Sequence, residues 1–565
     1  MNAFQTITDA IVRDIPELHR EDLAFAPPPK LDMGDVSLRA FEGAKKLDMK
    51  PPQLAARIAQ DVSFGPEVAE ARPAGPYVNF RLDRGAVGRR IIAGIAAQGD
   101  AFGSLGLGKG VEALVEHTSI NPNASPHVGR ARNALIGDSL VRLLRFEGYD
   151  VEVHYYVNDM GRQIALLVLA CGDPKRMTFD DMLARYVEAN ERAKADPGFA
   201  EQGYELLVRM EEGDPETKRR FHDVTDLCLQ GQVAVLGRLG IHYDYFDRES
   251  DFVKDPRLEK VLDALRARGS LFTDDDERLV VDLQKLGHPY EEGRYFVLMR
   301  ANGSSMYGCR DLSYTIDKLE RGAALNLIVL GEDHKLYAQQ LSLILEAAGY
   351  ATPEQVYYAY IVLKEGKMST REGKVVLLSE FLDEATRRAA QKVREQWPDL
   401  PPEDQQVMAE QVAIAAVRFA ILRVNPTKNV IFEWESALSF TGDTGPYVQY
   451  SCTRIASILR KHGESLAGEP PGAFPVSEDA EWGLLLQLAA FPESVSAAAE
   501  NRAVAPIAQY ALETARKFTT FYHQCPVLTA ETNELKMARL HLCQATLQVL
   551  KNALGILGIE AMERM

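Results

Sequence analysis

Two short segments, far apart in the chain, carry the residues best suited to hold a nucleoside triphosphate. The first has the order His-Val-Gly-Arg at 127–130, between an apolar run and a stretch with helical spacing. The second has the order Lys-Met-Ser-Thr-Arg at 367–371, in a loop rich in glycine and lysine. At a strand-to-helix turn, free backbone N–H groups bind phosphate, and a glycine lets a ligand approach the backbone closely. We therefore predict that both segments contact one triphosphate.

The side chains of these segments suit different parts of that ligand. His127 can hydrogen-bond a phosphate oxygen whose negative charge grows during attack at phosphorus, and Gly129 leaves room for the nucleotide. Lys367, Ser369 and Arg371 lie among glycines, and such a loop can close over a leaving pyrophosphate. A tight turn or a solvated charged loop would explain either segment alone. Their occurrence together, in this order, favours catalysis.

The residues around the first segment predict a parallel sheet. Val111–Glu116 has the pattern of a buried strand, Asn133–Phe146 that of a helix, and Val151–Tyr156 that of the next strand. A strand, a glycine turn, a helix and a strand in this order form a right-handed βαβ unit. We expect a Rossmann-like catalytic domain over residues 107–375, with a charged, helical insertion over about 164–270.

Two further patterns concern the course of this sheet. No strand rhythm precedes Leu271 within the insertion, and Val280–Leu283 is expected to resume the sheet. A hairpin is expected next, with strands at Tyr295–Met299 and Ser305–Tyr307 around an Asn-Gly turn.

Other patterns flank this domain. Residues 1–106 combine helical spacing with a strand-like run at Tyr77–Leu82, which predicts an N-terminal α+β domain. Residues 376–565 are rich in Ala, Leu and Glu with helical periodicity, broken by prolines, which predicts an all-α bundle. The predicted fold class is therefore α/β, with a parallel-sheet catalytic domain between an α+β domain and a helical bundle.

The composition limits the function classes. The net charge of −17 argues against a surface coated for nucleic acid but leaves room for a local basic track. No apolar run reaches the roughly 20 residues that span a bilayer, and the N-terminus lacks a signal-peptide pattern. The six cysteines form no Cys-x-x-Cys pair, so we expect reduced thiols rather than a zinc site or disulfides. These features predict a cytoplasmic protein.

Further motifs follow in a fixed order along the chain. They are EHTSINPN at 116–123, HVG at 127–129, YYVNDMGRQ at 155–163, MYGCRD at 306–311, DHKLYAQQ at 333–340, KMSTREG at 367–373 and FTGDTGPYVQY at 440–450. In this order they resemble the class I arginyl-tRNA synthetases over nearly the whole chain. The 440–450 stretch is highly specific for that family, whereas the first segment alone is shared across class I synthetases.

The resemblance implies an arginine–tRNA ligase. It would activate L-arginine with ATP, accompanied by Mg²⁺, to arginyl-adenylate and pyrophosphate. It would then transfer the arginine to the 3′-terminal adenosine of tRNA(Arg). The resemblance also implies that residues 1–106 contact the tRNA elbow, that residues 376–565 bind the anticodon, and that the protein is a monomer.

The resemblance further implies which residues form the sites. The catalytic set comprises His127, Gly129, Arg130, Lys367, Ser369 and Arg371. The ATP-binding set comprises His127, Gly129, His334, Lys367 and Met368. The arginine-binding set comprises Glu116, Ser119, Asn121, Tyr307, Asp311 and Gln340. The tRNA-binding set comprises Tyr447, Gln449, Tyr450 and Arg454. No residue is implied as a metal ligand.

The chemistry of a guanidinium supports the arginine pocket independently. A guanidinium binds carboxylates in its plane and accepts aromatic neighbours. Asp311 follows Tyr307 by one helical turn's spacing, and both can line one pocket if Tyr307 ends a strand and Asp311 opens a helix. Taken singly, Asp311 would be explained by the helix dipole and Tyr307 by packing.

Three positions depart from the family pattern. Many members have a lysine where this chain has Thr370, and arginine enzymes that lack it usually have a lysine where this chain has Ala124. Arg130 stands where members of the class generally have a second histidine. These departures leave open a paralogue with reduced or repurposed activity. Such a protein would bind tRNA or arginine as a regulator, or donate arginine to another acceptor. A different class I synthetase is less favoured, because the predicted pocket carries acids.

Overall fold

The computed structural model describes most of the chain. The described residues are 5–26, 28, 33–172, 174–289, 291–302, 305–364, 376–463, 466, 470, 472 and 474–564. The second segment, at 367–371, lies outside them.

The N-terminal part packs helices against one antiparallel sheet. Its elements are α1 (Gln5–Asp14), β1 (Ala24–Ala26), β2 (Val36–Arg39), α2 (Phe41–Lys46), α3 (Pro51–Asp61), β3 (Val68–Ala74), β4 (Tyr77–Leu82) and α4 (Arg84–Gln98). The strands lie in the order β1-β2-β4-β3, and every neighbouring pair is antiparallel. This architecture confirms the predicted α+β fold.

The middle part contains the predicted parallel sheet. Its first elements are β5 (Glu112–Glu116), α5 (Val128–Phe146), β6 (Asp150–Val157), α6 (Arg162–Cys171), α7 (Phe179–Ala195), α8 (Pro197–Glu212), α9 (Pro215–Gly237), β7 (Tyr245–Arg248) and α10 (Arg257–Ala267). Its later elements are β8 (Leu271–Thr273), β9 (Leu279–Asp282), β10 (Tyr295–Met299), α11 (Tyr307–Glu320), β11 (Leu325–Gly331), α12 (Lys335–Ala347), β12 (Glu354–Tyr358) and β13 (Ile361–Leu363).

The strand order explains where a ligand would bind. The sheet has the order β12-β11-β5-β6-β7, and all four neighbouring pairs are parallel. The chain proceeds from β5 outward through β6 to β7 and later returns to the other side of β5 with β11. Ligands of open α/β sheets bind beyond the carboxyl ends of the strands at such a reversal. The crevice between β5 and β11 is therefore the expected site.

Two predictions about the sheet are wrong. β7 lies within the stretch predicted to lack strands, and it pairs with β6, with Tyr156 opposite Asp247. It escaped recognition because its short sequence, largely exposed, has no apolar alternation. β9 does not resume the parallel sheet but lies in a separate antiparallel sheet of order β10-β9-β8. An alternation of apolar residues predicts a strand, but not its partner.

The C-terminal part is a helical bundle, as predicted. Its elements are α13 (Leu378–Gln396), α14 (Pro402–Leu422), β14 (Val430–Phe432), α15 (Trp434–Ala437), α16 (Gly445–His462), α17 (Asp479–Ala489), α18 (Phe491–Glu500), α19 (Ala505–Gln524) and α20 (Asn533–Ile556). A short strand, β14, pairs in parallel with β13. Among the described helices, none is long and apolar enough to cross a membrane.

Candidate active site and RNA-binding groove

The loop after β5 has a strained backbone. Thr118 and Ser119 have φ angles of 77° and 42°, in the left-handed region that non-glycine residues rarely occupy. The Thr118 N–H donates to Asn133 Oδ1 at 2.6 Å, and Asn133 Nδ2 donates to the Val329 carbonyl at 2.9 Å. Because Asn133 lies on α5 and Val329 on β11, the Asn133 side chain links this loop to both elements. Strain of this kind is retained where surrounding contacts enforce it, commonly at functional sites.

His127 stands at the entrance of α5, as the first segment predicts. It is the residue before the helix, and its backbone is extended. A Cβ at Gly129 would lie 3.0 Å from both Cε1 and Nδ1 of His127, so the glycine makes room for the imidazole itself. Desolvation, and next the charge of Arg130, lowers the pKa of His127 below its usual value. The ring is therefore neutral at pH 7 and can donate one hydrogen bond.

The described residues on the C-terminal side of the second segment contact the first segment. Lys367, Met368, Ser369 and Arg371 lie outside the described residues. Val376 and Leu377 lie against the first segment, because His127 and Leu377 form an antiparallel bridge and the Val128 N–H donates to the Val376 carbonyl at 2.9 Å. The predicted pairing of the two segments is consistent with this bridge, although the side chains of the second segment remain a prediction.

An acidic cavity lies at the crevice between β5 and β11. Its volume is about 150 Å³, and its polar lining includes Glu116, Asp311, Tyr314, Lys318, His334 and Tyr337. Three of the predicted residues, Glu116, Asp311 and His334, therefore come together. The cavity lies between the sheet, at β5 and β11, and helices α11 and α12.

Asp311 lies in this cavity with an aromatic partner that sequence reasoning missed. The Tyr337 hydroxyl donates to Asp311 Oδ2 at 2.6 Å. Burial raises the pKa of Asp311 above its usual value, against the effect of this hydrogen bond. Tyr307 was predicted to end a strand. It is instead the first residue of α11. It is exposed and does not line the cavity, and its ring centroid lies 5.2 Å from that of Tyr337, which does.

Glu116 is already paired in this structure. Its carboxylate accepts a hydrogen bond from Lys318, whose ammonium also lies 4.3 Å from the centre of the Tyr314 ring. Both charged side chains are buried, at 6% and 1% exposed respectively. Sequence reasoning missed Lys318, although its seven-residue spacing from Asp311 places both on one face of a helix.

A second buried pair adjoins Asp311. Arg310 Nε donates to Glu249 Oε1 at 2.7 Å, and both side chains are buried. Burial raises the pKa of Glu249 to about 7, and the negative charge of Asp311 contributes to the rise. Glu249 was missed because it follows directly on β7, the strand that the sequence did not reveal.

The remaining predicted arginine-binding residues, Ser119, Asn121 and Gln340, do not line the cavity. Ser119 Oγ accepts the Tyr156 N–H at 3.3 Å, and Asn121 Oδ1 accepts from Asn158 Nδ2 at 3.0 Å. Gln340 is buried, and its Nε2 donates to the carbonyl of Gly293 at 2.7 Å. These side chains connect the neighbouring strand ends and the loop before β10.

A groove on the bundle brings two of the predicted RNA contacts together. The guanidinium carbon of Arg454 lies 4.7 Å from the ring centre of Tyr450 and 4.9 Å from that of Tyr522. The groove has a volume of about 600 Å³ and is also lined by Trp397, Arg460, Lys461 and His523. Aromatic rings and guanidinium planes of this kind suit unstacked bases. Tyr522, from α19, was missed because nothing in its local sequence links it to α16.

The two other predicted RNA contacts have structural partners. Gln449 is fully buried, and its Nε2 donates to the Glu560 carbonyl at 2.9 Å. A side chain without exposed surface cannot contact a base, so the prediction for Gln449 is corrected. The Tyr447 hydroxyl lies 2.9 Å from Thr519 Oγ1, and the ring packs against the core of the bundle.

Three family profiles match successive parts of the chain. The N-terminal domain of arginyl-tRNA synthetase matches residues 2–82, the catalytic domain of class I (R) tRNA synthetases matches 103–434, and the DALR anticodon-binding domain matches 448–565.

Full-length relatives agree with these profiles. The arginine–tRNA ligase of Methanothermobacter thermautotrophicus is 38% identical over 557 residues, which cover 96% of this chain and 95% of the relative. That of Methanosarcina acetivorans is 36% identical over 573 residues, covering 100% and 99%. The solved arginyl-tRNA synthetase of Thermus thermophilus superposes with a TM-score of 0.80 at 30% identity, covering 99% of each chain.

Proposed function

This chain belongs to the class I arginyl-tRNA synthetase family, and from that membership we infer that it is an arginine–tRNA ligase. It activates L-arginine with ATP and transfers the arginine to tRNA(Arg). One structural observation carries this conclusion best. The acidic cavity at Glu116 and Asp311 adjoins the same strand end that leads, through a strained loop, to His127. A cationic substrate and a triphosphate therefore meet at one crevice.

We propose that Asp311 binds the substrate guanidinium. The Tyr337 hydroxyl orients its carboxylate, and Tyr307 covers the mouth of the cavity. The pair formed by Glu116 and Lys318 is neutral, so the net negative charge that faces a ligand comes from Asp311. Ser119, Asn121 and Gln340 hold the surrounding strand ends and border the amino-acid backbone. A carboxylate with an aromatic neighbour matches a planar guanidinium.

The first half-reaction requires no general base. The carboxylate of arginine attacks the α-phosphorus of ATP, a C–O–P linkage forms, and the bond to pyrophosphate breaks. We propose that neutral His127 donates a hydrogen bond to the α-phosphate oxygens as their charge grows, beside the N–H groups at the start of α5. Gly129 admits the nucleotide, and His334 borders it from the turn directly before α12. Catalysis is then mainly positioning and charge stabilisation.

The remaining phosphate contacts are assigned to the second segment and to Arg130. We propose that Lys367, Met368, Ser369 and Arg371 bind ATP and the leaving pyrophosphate, with Arg130 nearby. Mg²⁺ enters as the counter-ion of the triphosphate. The described residues contain no cluster of three metal-ligating side chains, and we assign no protein ligand to the ion.

The second half-reaction joins arginine to tRNA. The hydroxyl of the 3′-terminal adenosine attacks the arginyl carbonyl, and AMP leaves. We propose that Tyr450, Arg454 and Tyr522 bind anticodon bases in the groove of the bundle, and that Tyr447 supports them from the core. We also propose that the enzyme is cytoplasmic and monomeric.

The direct test is ATP–pyrophosphate exchange with each of the twenty amino acids, with and without tRNA(Arg). Exchange confined to arginine, followed by charging of tRNA(Arg), is the expected result. Folded protein that shows no arginine-dependent exchange under either condition would contradict the assignment. Complementation of a strain that lacks its own arginine–tRNA ligase provides the cellular counterpart, and sedimentation tests the monomer.

A further inference from the structure

The C-terminal segment Leu557–Glu563, called here the C-terminal strap, lies across two helices of the bundle. Its carbonyl oxygens accept hydrogen bonds from side chains of both helices. The donor and acceptor pairs are Arg418 and Leu557 at 2.6 Å, Gln449 and Glu560 at 2.9 Å, Thr453 and Met562 at 3.0 Å, and Arg460 and Glu563 at 2.6 Å. Arg418 lies on α14, and the other donors lie on α16. The strap therefore joins α14 to α16.

Arg418 extends this connection into the catalytic domain. Its side chain is fully buried, forms an ion pair with Asp138 and donates to the Leu239 carbonyl at 2.7 Å. Asp138 lies on α5, about three turns beyond His127. One guanidinium thus contacts the strap, the loop before β7 and the helix that begins at the active site.

The backbone of the strap is shaped around this guanidinium. Gly558 has a φ of +67°, and a Cβ at that position would lie 2.2 Å from a terminal nitrogen of Arg418. Glycine is the residue that tolerates both the conformation and the close approach. The position of the strap and the position of Arg418 therefore depend on each other.

The other end of the connection reaches the RNA groove. Gln449 is adjacent to Tyr450, and Thr453 is adjacent to Arg454. Gln449 and Thr453 bind the strap, and Thr453 also lines the groove beside Tyr450 and Arg454. A displacement of α16 by a ligand in the groove would act on the strap through these two hydrogen bonds.

We propose that the C-terminal strap and Arg418 couple the RNA groove on α16 to helix α5 of the active site. Arg418 and Gln449 are positioning residues in this arrangement, since neither touches a substrate. The proposal depends on the proposed function, which supplies the occupants of both sites. Coupling between two sites is a ratio of affinities, and the effect of each ligand on the other is equal. A purely structural role would lower stability without changing that ratio.

The experiment measures the coupling in the full-length protein. The probes are an anticodon stem-loop of tRNA(Arg) and a non-hydrolysable arginyl-adenylate analogue, with affinities from calorimetry. We expect the analogue to change stem-loop affinity by about tenfold, within the usual range for allosteric coupling. Equal affinities with and without the analogue would overturn the proposal. If the wild-type protein binds neither probe, the proposed function itself fails.

Three variants locate the coupling. Arg418→Lys keeps the charge but cannot reach all partners at once, Gly558→Ala displaces the guanidinium, and Gln449→Met removes one buried hydrogen bond at nearly constant volume. Each should reduce the coupling to below about twofold, while stem-loop affinity in the absence of analogue changes by less than about threefold. Gln449→Met keeps the test valid if Arg418→Lys does not fold. Full coupling in the folded variants would overturn the proposal.

A matched control distinguishes the strap from buried arginines in general. Arg539 is also buried, pairs with Glu481 at 2.6 Å and donates at 2.8 Å to the carbonyl of Pro526, which lines the groove. Among the described residues, its hydrogen bonds and ion pairs do not include the strap. Arg539→Lys should lower stability and retain the coupling. Loss of coupling in this control as well would assign the effect to general loosening of the bundle and overturn the proposal.

Discussion

Lys318 and Glu116 form a buried ion pair at the edge of the acidic cavity, from positions 202 residues apart in the chain. Neutralisation of Glu116 by Lys318 leaves Asp311 to supply the net charge that faces a ligand. The cavity is thus adapted to a side chain with one positive charge.

Asp311→Asn should weaken arginine binding selectively. The substitution keeps the shape of the side chain but removes the charge that binds the guanidinium, a contact worth about 1.5–3 kcal/mol. We expect the KM for arginine in exchange assays to rise by roughly 10- to 150-fold, with the KM for ATP nearly constant. Tyr337→Phe, which removes only the orienting hydroxyl, is the control and should have a smaller effect. An unchanged KM for arginine would remove Asp311 from the pocket.

Lys318→Met should destabilise the protein through Glu116. Removing one partner of a buried pair leaves an unpaired charge, which costs about 3–5 kcal/mol. A lowered midpoint of thermal unfolding measures this loss. The double variant Lys318→Met with Glu116→Gln should recover part of the stability, because no buried charge remains. If the double variant is less stable than Lys318→Met, the pair does not act as described.

Arginine binding should weaken as the pH falls through neutrality. The pKa of Glu249 is raised to about 7, so its carboxylate is charged above that pH and protonated below it. Protonation removes negative charge beside Asp311, whose own pKa is also raised. We expect the KM for arginine to increase between pH 8 and pH 6, and Glu249→Gln to flatten this change. The same pH dependence in the variant would assign it to another group.

Gly129→Ala should act on catalysis through His127. The added methyl group would lie 3.0 Å from the imidazole and must displace it. Loss of one hydrogen bond to developing charge lowers a rate by about 100- to 1,000-fold, which is the expectation for His127→Ala in single-turnover adenylate formation. Combining both variants should cost little more than His127→Ala alone, because they remove the same contact. Full additivity would mean that the glycine acts independently.

Tyr522→Ala should weaken tRNA binding without changing the arginine site. Stacking of a base on an aromatic side chain contributes about 1–3 kcal/mol. The Kd for tRNA(Arg) should rise by roughly 5- to 150-fold, while the Kd for arginine stays constant. Tyr510→Phe, on the same helix, is the control, since its buried hydroxyl donates to the Gln487 carbonyl within the bundle. Equal losses in both variants would place the RNA elsewhere.

Local patterns predicted much of the fold. Helical and strand periodicity identified β5, α5 and β6, and the turn between β5 and α5 places His127 directly before α5, as predicted. β7 was not recognisable, because four residues without alternation carry no strand signal. Because β7 was not recognised, Glu249 was missed as well, since it directly follows this strand and lies near Asp311.

The sequence by itself determined the order of the elements and the types of residues available for chemistry, because periodicity and turn signals depend on near neighbours. Only the tertiary structure decided which distant side chains meet. Lys318 reaches Glu116, Tyr522 reaches Arg454, and Arg418 reaches Asp138 across 280 residues of chain. These contacts depend on how helices pack on the sheet and on each other. Nothing in the local spacing of the residues encodes that packing.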